Sequence, residues 1–528
     1  MIRIHQVKTT DPKKIEEKIL KKLNMKKNDL LSWSIHRKSV DARGQKVLFS
    51  YVIDADVKNE KKYLKNRDVI LKPDETFRFE PEGTKLLENR PVVAGFGPAG
   101  MFAALLLAQY GYRPLIIERG GDIEQRQKDV DLFWKEGMLN PESNVQFGMG
   151  GAGAFSDGKL TTRSKDPRTH KVYEELIRFG AHPEIAIEQH PHVGTDGFIQ
   201  ILKNIRKEIE RLGGEFAFQT RLDDIFIEDG CLKEIRLSDG RTVPCQALIA
   251  AVGHSAADTI RMFFEKGMKM EGKSFAAGVR IEHLHTFINK AMLKDQAFNP
   301  DLIPARYQLT HTASTGRGVY TFCMCPGGYV IPSSCQKETV VVNGMSYSDR
   351  SGENANAALL IQCPAWQFGP DVFAGERYLE DLEKKAYALS GSYKAPVQLA
   401  RDFVEHKKTA SLGKVKPTYA LGVEFADFHE LFDPLMAQSL EEALLDFENK
   451  VPGFLDDAVL TGMETRSSSA IRLLRNPETL MSSIEGLYPA GEGAGYAGGI
   501  MTSAIDGMKC AMALMNCFAI PKNADYTK

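Results

Sequence analysis

The order of apolar and polar positions changes three times along the chain. Residues 1–85 combine a helix-like period with strand-like runs, which predicts a small α+β domain. Residues 86–270 alternate apolar strands with helices, as in an α/β domain. Residues 271–455 mix sheet-like and helical segments, and residues 456–528 return to a glycine-rich α/β pattern. The chain is therefore predicted to hold an α/β domain that is split by an inserted mixed α/β domain.

The most apolar segment runs from residue 91 to residue 112 and contains no charged side chain. It is long enough for a transmembrane helix. Gly95, Gly97, Pro98 and Gly100 nevertheless cluster in its first half, where a strand would turn into a helix. We interpret the segment as a buried strand, a tight turn and a buried helix, and we expect no membrane contact.

Composition narrows the class of protein. The 528 residues are 43% apolar and 26% charged, and 68 Lys and Arg nearly balance 69 Asp and Glu. These values exclude a wholly disordered chain, which combines low hydrophobicity with high net charge. Eight cysteines without a CxxC pair exclude a disulfide scaffold and give no zinc pattern. We therefore expect no metal site. Because the N-terminus turns polar too soon for a secretory signal, we also expect a cytoplasmic protein.

Charge is unevenly distributed. Residues 1–90 carry a net charge of +8, and the remaining residues carry −9. A basic face of this kind could contact RNA or another acidic partner. A lysine-rich helix such as the one predicted at residues 13–27 is more often a solvated amphipathic surface, which is the interpretation we favour. RNA contact through residues 1–85 stays as the alternative.

A glycine fingerprint, GFGPAG, closes the first α/β strand and opens the next helix. In such a fingerprint the first glycine allows the tight turn, the second lets backbone approach a pyrophosphate, and the third allows close helix–strand packing. The helix N-terminus offers free N–H groups and a partial positive charge to the phosphates. The acid that ends the next strand would accept hydrogen bonds from an adenosine ribose. The predicted contacts are Gly95, Gly97, Pro98, Ala99, Gly100 and Glu118.

Three further segments separate FAD from NAD, which the fingerprint alone does not. Residues 148–159, GMGGAGAFSDGK, place four glycines within six residues, so that backbone can come close to a planar, charged ligand. Residues 247–254 form an apolar strand that ends in glycine. Residues 486–502 form a strand that ends in an acid, then a glycine turn and the start of a helix.

This set of segments resembles the large glutathione-reductase-like class of FAD-dependent oxidoreductases, with Val252 where the class has threonine. A closer resemblance, to a bacterial family of uncharacterised FAD-dependent dehydrogenases, spans nearly the whole chain. Its motifs are GFGPAGMFAAL, ERG, GGAGAFSDGK, LIAAVGHSA, METRSSSAIR and LYPAGEGAGYAGGIMTSAIDG. The resemblance implies an FAD-binding three-layer Rossmann-like domain, split by the inserted domain and preceded by the small N-terminal one.

The resemblance also implies which residues contact FAD. In the class, the acid at the end of the last strand faces the ribityl chain. The helix N-terminus that follows faces the flavin N1–C2=O edge, where reduction places negative charge. Besides the fingerprint, the predicted contacts are Arg119, Arg126, Gly150, Gly151, Gly153, Ser156, Gly158, Lys159, Val252, Gly253, His254, Gly491, Glu492, Gly499, Ile500 and Met501.

The inserted domain would roof the flavin and select the substrate. Its arginines could orient an anionic group, and its histidine or tyrosines could move a proton. The candidates there are Arg280, Glu282, His283, Arg317, Tyr320 and Tyr329. Residues 461–468 are the strongest active-site loop, because Glu, Arg and hydroxyl groups are dense in it. We expect Glu464, Arg466 and Arg280 to be the catalytic groups.

One pair of cysteines, Cys323 and Cys325, lies in a strand-like run, where alternate side chains share a face. We interpret the pair as two small buried hydrophobes rather than a redox or metal site. The chain is predicted to be an FAD-dependent oxidoreductase that passes a hydride through flavin N5 to or from an unidentified small substrate. NADH or NADPH is a candidate electron donor. The alternatives are an FAD-dependent RNA-modifying protein and a binding protein with a structural flavin.

Overall fold

The N-terminal domain is an antiparallel sheet of four strands covered by one helix. The computed structural model describes residues 1–41, 47–162, 166–297, 299 and 302–521. The elements of this domain are β1 (Ile2–Thr9), α1 (Ile15–Leu23), β2 (Leu30–Asp41), β3 (Leu48–Val57) and β4 (Val69–Leu71), in the sheet order β2-β3-β1-β4. Because α1 buries Ile15, Ile19 and Leu23 and exposes Lys21, it is amphipathic as predicted.

The second domain begins with a βαβ unit. Its elements before the insert are β5 (Val92–Ala94), α2 (Pro98–Gln109), β6 (Leu115–Ile117), α3 (Ile123–Glu136), α4 (Arg168–Arg178), α5 (Gly194–Arg211), β7 (Glu215–Ala217), β8 (Leu222–Glu228), β9 (Cys231–Leu237), β10 (Thr242–Pro244), β11 (Leu248–Ala250) and α6 (Ala257–Glu265). The predicted α/β character of this part of the chain is confirmed.

The insert is a mixed α/β domain, as predicted. Its elements are β12 (Met270–Gly272), β13 (Phe275–Leu284), α7 (His285–Leu293), β14 (Thr310–Thr312), β15 (Gly318–Cys325), β16 (Tyr329–Pro332), β17 (Val342–Met345), β18 (Asn354–Cys363), α8 (Ala374–Ser390), β19 (Ala395–Leu399), α9 (Ala400–Val404), β20 (Val423–Phe425), α10 (Phe428–Leu431), α11 (Pro434–Lys450) and β21 (Val459–Glu464). The chain then returns to the second domain through β22 (Ile471–Leu473), β23 (Leu487–Pro489) and α12 (Ile500–Cys517).

The second domain has three layers. Its central sheet is parallel, in the order β23-β11-β5-β6-β7. One face, including Val93 and Ile116, packs in a core with α2, α5 and α12, and the other, including Val92 and Leu115, packs on the antiparallel sheet β10-β9-β8. Since β23 and α12 come from the end of the chain, the domain is completed only after the insert. The predicted Rossmann-like fold is confirmed.

The apolar segment of residues 91–112 is a strand and a helix inside this domain. Residues 99–108 of α2 are all buried. A Cβ on Gly507 of α12 would lie 2.0 Å from the Ala99 carbonyl oxygen, so the two helices approach closely. None of the helices in the described ranges combines the length and the apolar character that a membrane span needs.

The insert is built on a seven-stranded sheet in the order β14-β15-β18-β13-β21-β19-β20. β21, at Val459–Glu464, pairs with β13 and β19 in the middle of that sheet. The predicted boundary at residue 455 therefore separates this strand from the sheet to which it belongs. The antiparallel pair of β12 and β22 then links the insert to the second domain.

Candidate cofactor and active site

A cavity of about 910 Å³ lies where the carboxyl ends of the parallel strands meet the sheet of the insert. This edge of an α/β sheet is where ligands usually bind, and the volume is near the upper limit of small-molecule sites, about 1,000 Å³. The predicted cofactor residues that line it are Gly95, Gly97, Pro98, Ala99, Glu118, Arg119, Gly151, Gly153, Ser156, Gly158, Lys159, Val252, Gly253, His254, Glu492, Gly499, Ile500 and Met501.

The three fingerprint glycines have different surroundings. Gly95 has φ +94°, and a Cβ there would lie 2.4 Å from the Ala251 carbonyl oxygen. A Cβ on Gly100 would lie 1.9 Å from the Gly95 oxygen, so this glycine permits the helix to pack on the strand and does not line the cavity. A Cβ on Gly97 would meet only the Gly151 Cα at 3.6 Å. The protein itself therefore requires glycine at the first and third positions, whereas the second leaves room for a ligand.

Two helices begin at the cavity beside open glycines. Gly97 is the N-cap of α2, and Gly499 is the N-cap of α12. A Cβ on Gly253, Gly498 or Gly499 would have no protein atom within 4 Å. The first N–H groups of a helix lack partners within the helix and attract negative charge. The cavity wall thus fits a long ligand that carries phosphates and a polar ring edge, as FAD does.

Two predicted cofactor glycines shape the wall from behind rather than line it. Gly150 has φ +92°, and a Cβ there would lie 2.4 Å from Leu202 Cδ1. Gly491 has φ +78°, and its Cβ would lie 2.7 Å from the Ala99 Cβ. Both glycines are explained by loop conformation and packing.

Glu118 holds three backbone segments together at the end of β6. Its Oε2 accepts the Phe96 N–H at 2.8 Å, and its Oε1 accepts the N–H groups of Gly120 and Gly148 at 3.0 and 2.9 Å. A carboxylate offers about four acceptor positions. Three of them serve these loops, so one position on Oε2 is left for the predicted ribose hydroxyl.

The two predicted arginines near FAD differ in placement. Arg119 lines the cavity, lies over the Phe147 ring at 4.1 Å, and is held by ion pairs to Glu142 and Asp258. Arg126 is fully buried outside the cavity wall and donates to the carbonyl oxygens of residues 144, 145, 148 and 149. Its burial lowers its pKa to about 10. Arg126 therefore fixes the glycine loop instead of contacting the cavity.

Glu492 and His254 form a partly buried pair on the wall. Glu492 Oε1 lies 3.5 Å from His254 Nδ1. Burial raises the pKa of Glu492 to about 8, with Lys273 opposing the shift, and burial lowers the pKa of His254 to about 3. The two side chains are therefore mostly uncharged at neutral pH.

The raised pKa of Glu492 makes stability depend on pH. The folded carboxyl binds its proton more tightly than the unfolded one, whose pKa is near 4.5, so its contribution is present at low pH and is lost as pH rises through about 8. We expect the free energy of unfolding of the wild type, relative to Glu492→Gln, to fall between about pH 5 and pH 8. Urea denaturation at several pH values measures this difference, and the exposed Glu424→Gln is the control.

Of the three predicted catalytic residues, Glu464 and Arg466 line the cavity. Burial raises the pKa of Glu464 to about 7, although Arg280 opposes the shift from 3.4 Å. Arg280 is fully buried behind the wall, where Nη2 donates to the Asn356 Oδ1 at 2.7 Å and to the Cys323 carbonyl oxygen at 3.0 Å. Arg280 therefore holds Asn356 and the backbone of Cys323 in place and does not itself line the cavity.

Arg466 is tied to a buried acid. Its Nη2 donates to Glu383 Oε2 at 2.8 Å, and the Thr465 hydroxyl donates to Glu383 Oε1 at 2.6 Å. The side chain of Glu383 is completely buried. Arg466 therefore has a structural role in addition to its place on the wall.

Among the other roof candidates, only Tyr320 lines the cavity. Glu282 is buried and accepts from Asn354 and Thr418, and His283 Nε2 lies 2.7 Å from the Phe454 carbonyl oxygen. Arg317 donates to Gln367, and Tyr329 lies edge-on to Tyr347. The four candidates other than Tyr320 thus contact neighbours within the insert and do not line the cavity.

Sequence reasoning missed a cationic region of the wall. Arg306, between α7 and β14, lines the cavity, and its Nε and Nη2 atoms are buried without a hydrogen-bond partner among the described residues. Arg350 and Lys159 lie close enough for their charges to repel that of Arg306. Asp157 pairs with Lys159, and the charges of Asp157 and Glu188 also act on Arg350. No motif marks Arg306, because its place depends on how the insert folds over the cavity.

A comparison with protein families also indicates FAD as the cofactor. Residues 274–467 match the family model described as "FAD-dependent protein, C-terminal domain-like", and residues 1–56 match a domain of unknown function. A protein of Clostridium beijerinckii, described only as uncharacterized, is 44% identical over 532 residues, which cover 99% of this chain and 100% of the relative. The chain belongs to a family of FAD-dependent proteins. The family model covers the insert, whereas the dinucleotide fingerprint lies outside it.

The solved structures that are similar to this chain share little sequence identity with it. CtdE in complex with FAD is 10% identical, with a TM-score of 0.33, and the match covers 82% of this chain and 85% of that one. A geranylgeranyl bacteriochlorophyll reductase-like protein from Thermoplasma acidophilum is 14% identical, with a TM-score of 0.34 and 81% and 78% coverage. L-proline dehydrogenase from P. horikoshii is 12% identical, with a TM-score of 0.31 and 81% and 93% coverage.

Proposed function

We propose that the protein is an FAD-dependent oxidoreductase that acts on a small anionic substrate. The observation that carries the proposal is the contrast between the two walls of one cavity. One wall has open glycines and two helix N-termini, which suit a dinucleotide. The opposite wall, from the insert, carries titratable and cationic side chains, which suit a reacting substrate.

The cofactor would extend along the glycine wall. The N-terminus of α2 at Gly97 would bind the pyrophosphate, and Glu118 would accept a ribose hydroxyl. Glu492 and the N-terminus of α12 at Gly499 would face the ribityl chain and the flavin ring edge. FAD, when bound, supplies a two-electron centre that accepts or donates a hydride at N5.

The insert would bind the substrate and handle its proton. Arg306 lines the cavity and has two buried donor atoms without a partner among the described residues, and Lys159 adds a second positive charge nearby. Buried polar atoms in folded proteins nearly always have partners, so such donors indicate a ligand that accepts hydrogen bonds. Glu464, with a pKa of about 7, is suited to hold or release a proton at its carboxyl group near neutral pH.

The anion site is tested by replacing Arg306. A charge-assisted hydrogen bond contributes about 1.5–3 kcal/mol, so Arg306→Gln is expected to weaken the binding of small carboxylates by about 10- to 100-fold. Titration of the flavin spectrum with acetate, succinate and benzoate measures this change. Arg401→Gln, at an exposed ion pair of the insert, is the control. Equal affinities in the wild type and Arg306→Gln would contradict the assignment.

The electron donor is a further part of the proposal. We propose NADH or NADPH, which would bind transiently, since the sequence contains only one full dinucleotide fingerprint. Anaerobic addition of either nucleotide should bleach the flavin absorbance. A flavin that stays oxidised with both nucleotides and with the substrate panel would favour a structural role instead.

A further inference from the structure

The cavity wall contains a pair of cysteines at the end of β15. Cys323 lines the cavity, and Cys325 is completely buried behind it. Both are free thiols in this structure, and the Cys325 thiol donates to the Cys323 carbonyl oxygen at 3.3 Å. The pairing of β15 with β18 shifts register between Phe322 and Cys325. Cys323 itself has φ +44°, which is uncommon for a residue other than glycine.

Two cations contact the sulfur atoms. Lys159 Nζ lies 3.8 Å from the Sγ atoms of both Cys323 and Cys325. Arg280 Nη2 lies 3.6 Å from the Cys325 Sγ. Each cation also has an acid nearby, because Lys159 pairs with Asp157 and Arg280 with Glu464. The pair therefore lies in a polar, cationic environment, and its interpretation as two small buried hydrophobes does not hold.

This environment favours one thiolate and one thiol. The neighbouring Cys325 thiol, acting as a donor, and the charges of Lys159 and Arg280 hold the pKa of Cys323 well below its ordinary range, against the opposing effect of burial. The closeness of the two thiols, with burial, raises the pKa of Cys325 well above its ordinary range. A buried cysteine elsewhere in the insert behaves differently: burial raises the pKa of Cys363 to about 11. Low-pKa thiolates beside cations are the reactive cysteines of proteins.

We propose that Cys323 and Cys325 are a redox-active dithiol that exchanges two electrons with the flavin in the cavity. The proposal rests on the proposed function, because it needs FAD as the electron acceptor. In the oxidising direction the Cys325 S–H bond breaks and an S–S bond forms between the two cysteines. The thiolate and thiol together lose two electrons and the one proton of Cys325, and oxidised FAD takes up two electrons and one proton to become the anionic reduced form.

The chain geometry permits such a bond. Alternate Cα atoms of a regular strand lie about 6.7 Å apart, near the upper end of the range for disulfides of 4.4–6.8 Å, and the register shift and the φ of +44° at Cys323 depart from that regular spacing. The Cys325 thiol already donates to the backbone of Cys323, and both Sγ atoms lie 3.8 Å from the same Lys159 Nζ. Because Cys323 faces the cavity, a flavin bound there would lie beside the thiolate.

Anaerobic reductive titration tests the proposal on the flavin-loaded protein. After mild oxidation with diamide, the wild type is expected to take up four electrons per FAD from dithionite: two for the flavin and two for the disulfide. Cys323→Ser and Cys325→Ser should each take up two. The control, Cys231→Ser, removes a partly exposed cysteine outside the cavity and should behave as the wild type. A wild type that takes up only two electrons would overturn the dithiol.

Mass mapping of alkylated cysteines separates this outcome from a failure of the proposed function. After diamide treatment the peptide with both cysteines should lack two hydrogen atoms and resist iodoacetamide, whereas reduction should restore both alkylation sites. If the protein binds no FAD, the proposed function fails, and the peptide map still decides on the thiols. A disulfide would then support a redox-active pair, and two alkylated cysteines would overturn it.

Discussion

Gly97→Val is expected to abolish FAD binding while leaving the fold intact. Gly97 has φ −76°, an ordinary value for valine, and a Cβ there meets only the Gly151 Cα at 3.6 Å. The added side chain would nevertheless occupy the space in front of the N-terminus of α2, where the pyrophosphate would bind. Loss of two charge-assisted hydrogen bonds, each about 1.5–3 kcal/mol, weakens binding by on the order of 100-fold or more.

The measurement is the ratio of flavin to protein absorbance after purification and after incubation with added FAD. Gly272→Val is the matched control, because a Cβ there has only the Val372 carbonyl oxygen at 3.9 Å and the residue lies on the exposed strand β12. Gly100→Val provides the contrast, since its side chain would collide with the Gly95 oxygen and lower the melting temperature. A Gly97→Val protein fully loaded with FAD would refute the assignment of the fingerprint.

Arg466→Ala is expected to lower the free energy of unfolding by about 3–5 kcal/mol, the cost of leaving a buried charge without its partner. Glu383, its partner, is completely buried and would retain only the Thr465 hydroxyl among its observed side-chain contacts. Urea denaturation followed by circular dichroism measures the loss. Flavin content and turnover should be compared at temperatures well below the lowered melting point, because reduced turnover alone would not separate catalysis from unfolding.

The double variant Arg466→Ala/Glu383→Gln is the control for this mechanism. It removes the Glu383 charge that would otherwise lack a cationic partner, and it should recover part of the lost stability. Arg401→Ala, at an exposed pair with Asp456, should change the free energy of unfolding little. If Arg466→Ala unfolds at the same urea concentration as the wild type, the buried ion pair does not stabilise the protein. Arg466 would then be assigned to the cavity chemistry alone.

The glycine-rich half of the cavity could be predicted from the sequence because its geometry is local. The turn at Gly95, the opening at Gly97 and the close packing at Gly100 are properties of a strand, a turn and a helix that follow one another. The same reasoning placed Gly499 at the start of α12. Arg126 was placed near FAD by resemblance alone, and the structure shows that it binds loop carbonyls.

The half of the cavity that the insert lines depends on contacts between distant segments, which periodicity cannot reveal. Arg306 faces the cavity only because the segment before β14 folds over it. Cys323 meets Lys159 across 164 residues of sequence, and Arg280 meets Glu464 across 184. The density of polar groups at residues 461–468 singled out Glu464 and Arg466, which the structure places on the cavity wall, but it gave no sign of Glu383 behind them.

The most direct test of the central claim is the cofactor content of the purified protein. The visible absorbance spectrum should show flavin bands, and denaturation should release close to one FAD per chain, identified by chromatography against FAD and FMN standards. We expect this result from the cavity, the open glycines and the two helix N-termini. A colourless protein that takes up no FAD on reconstitution would contradict the account.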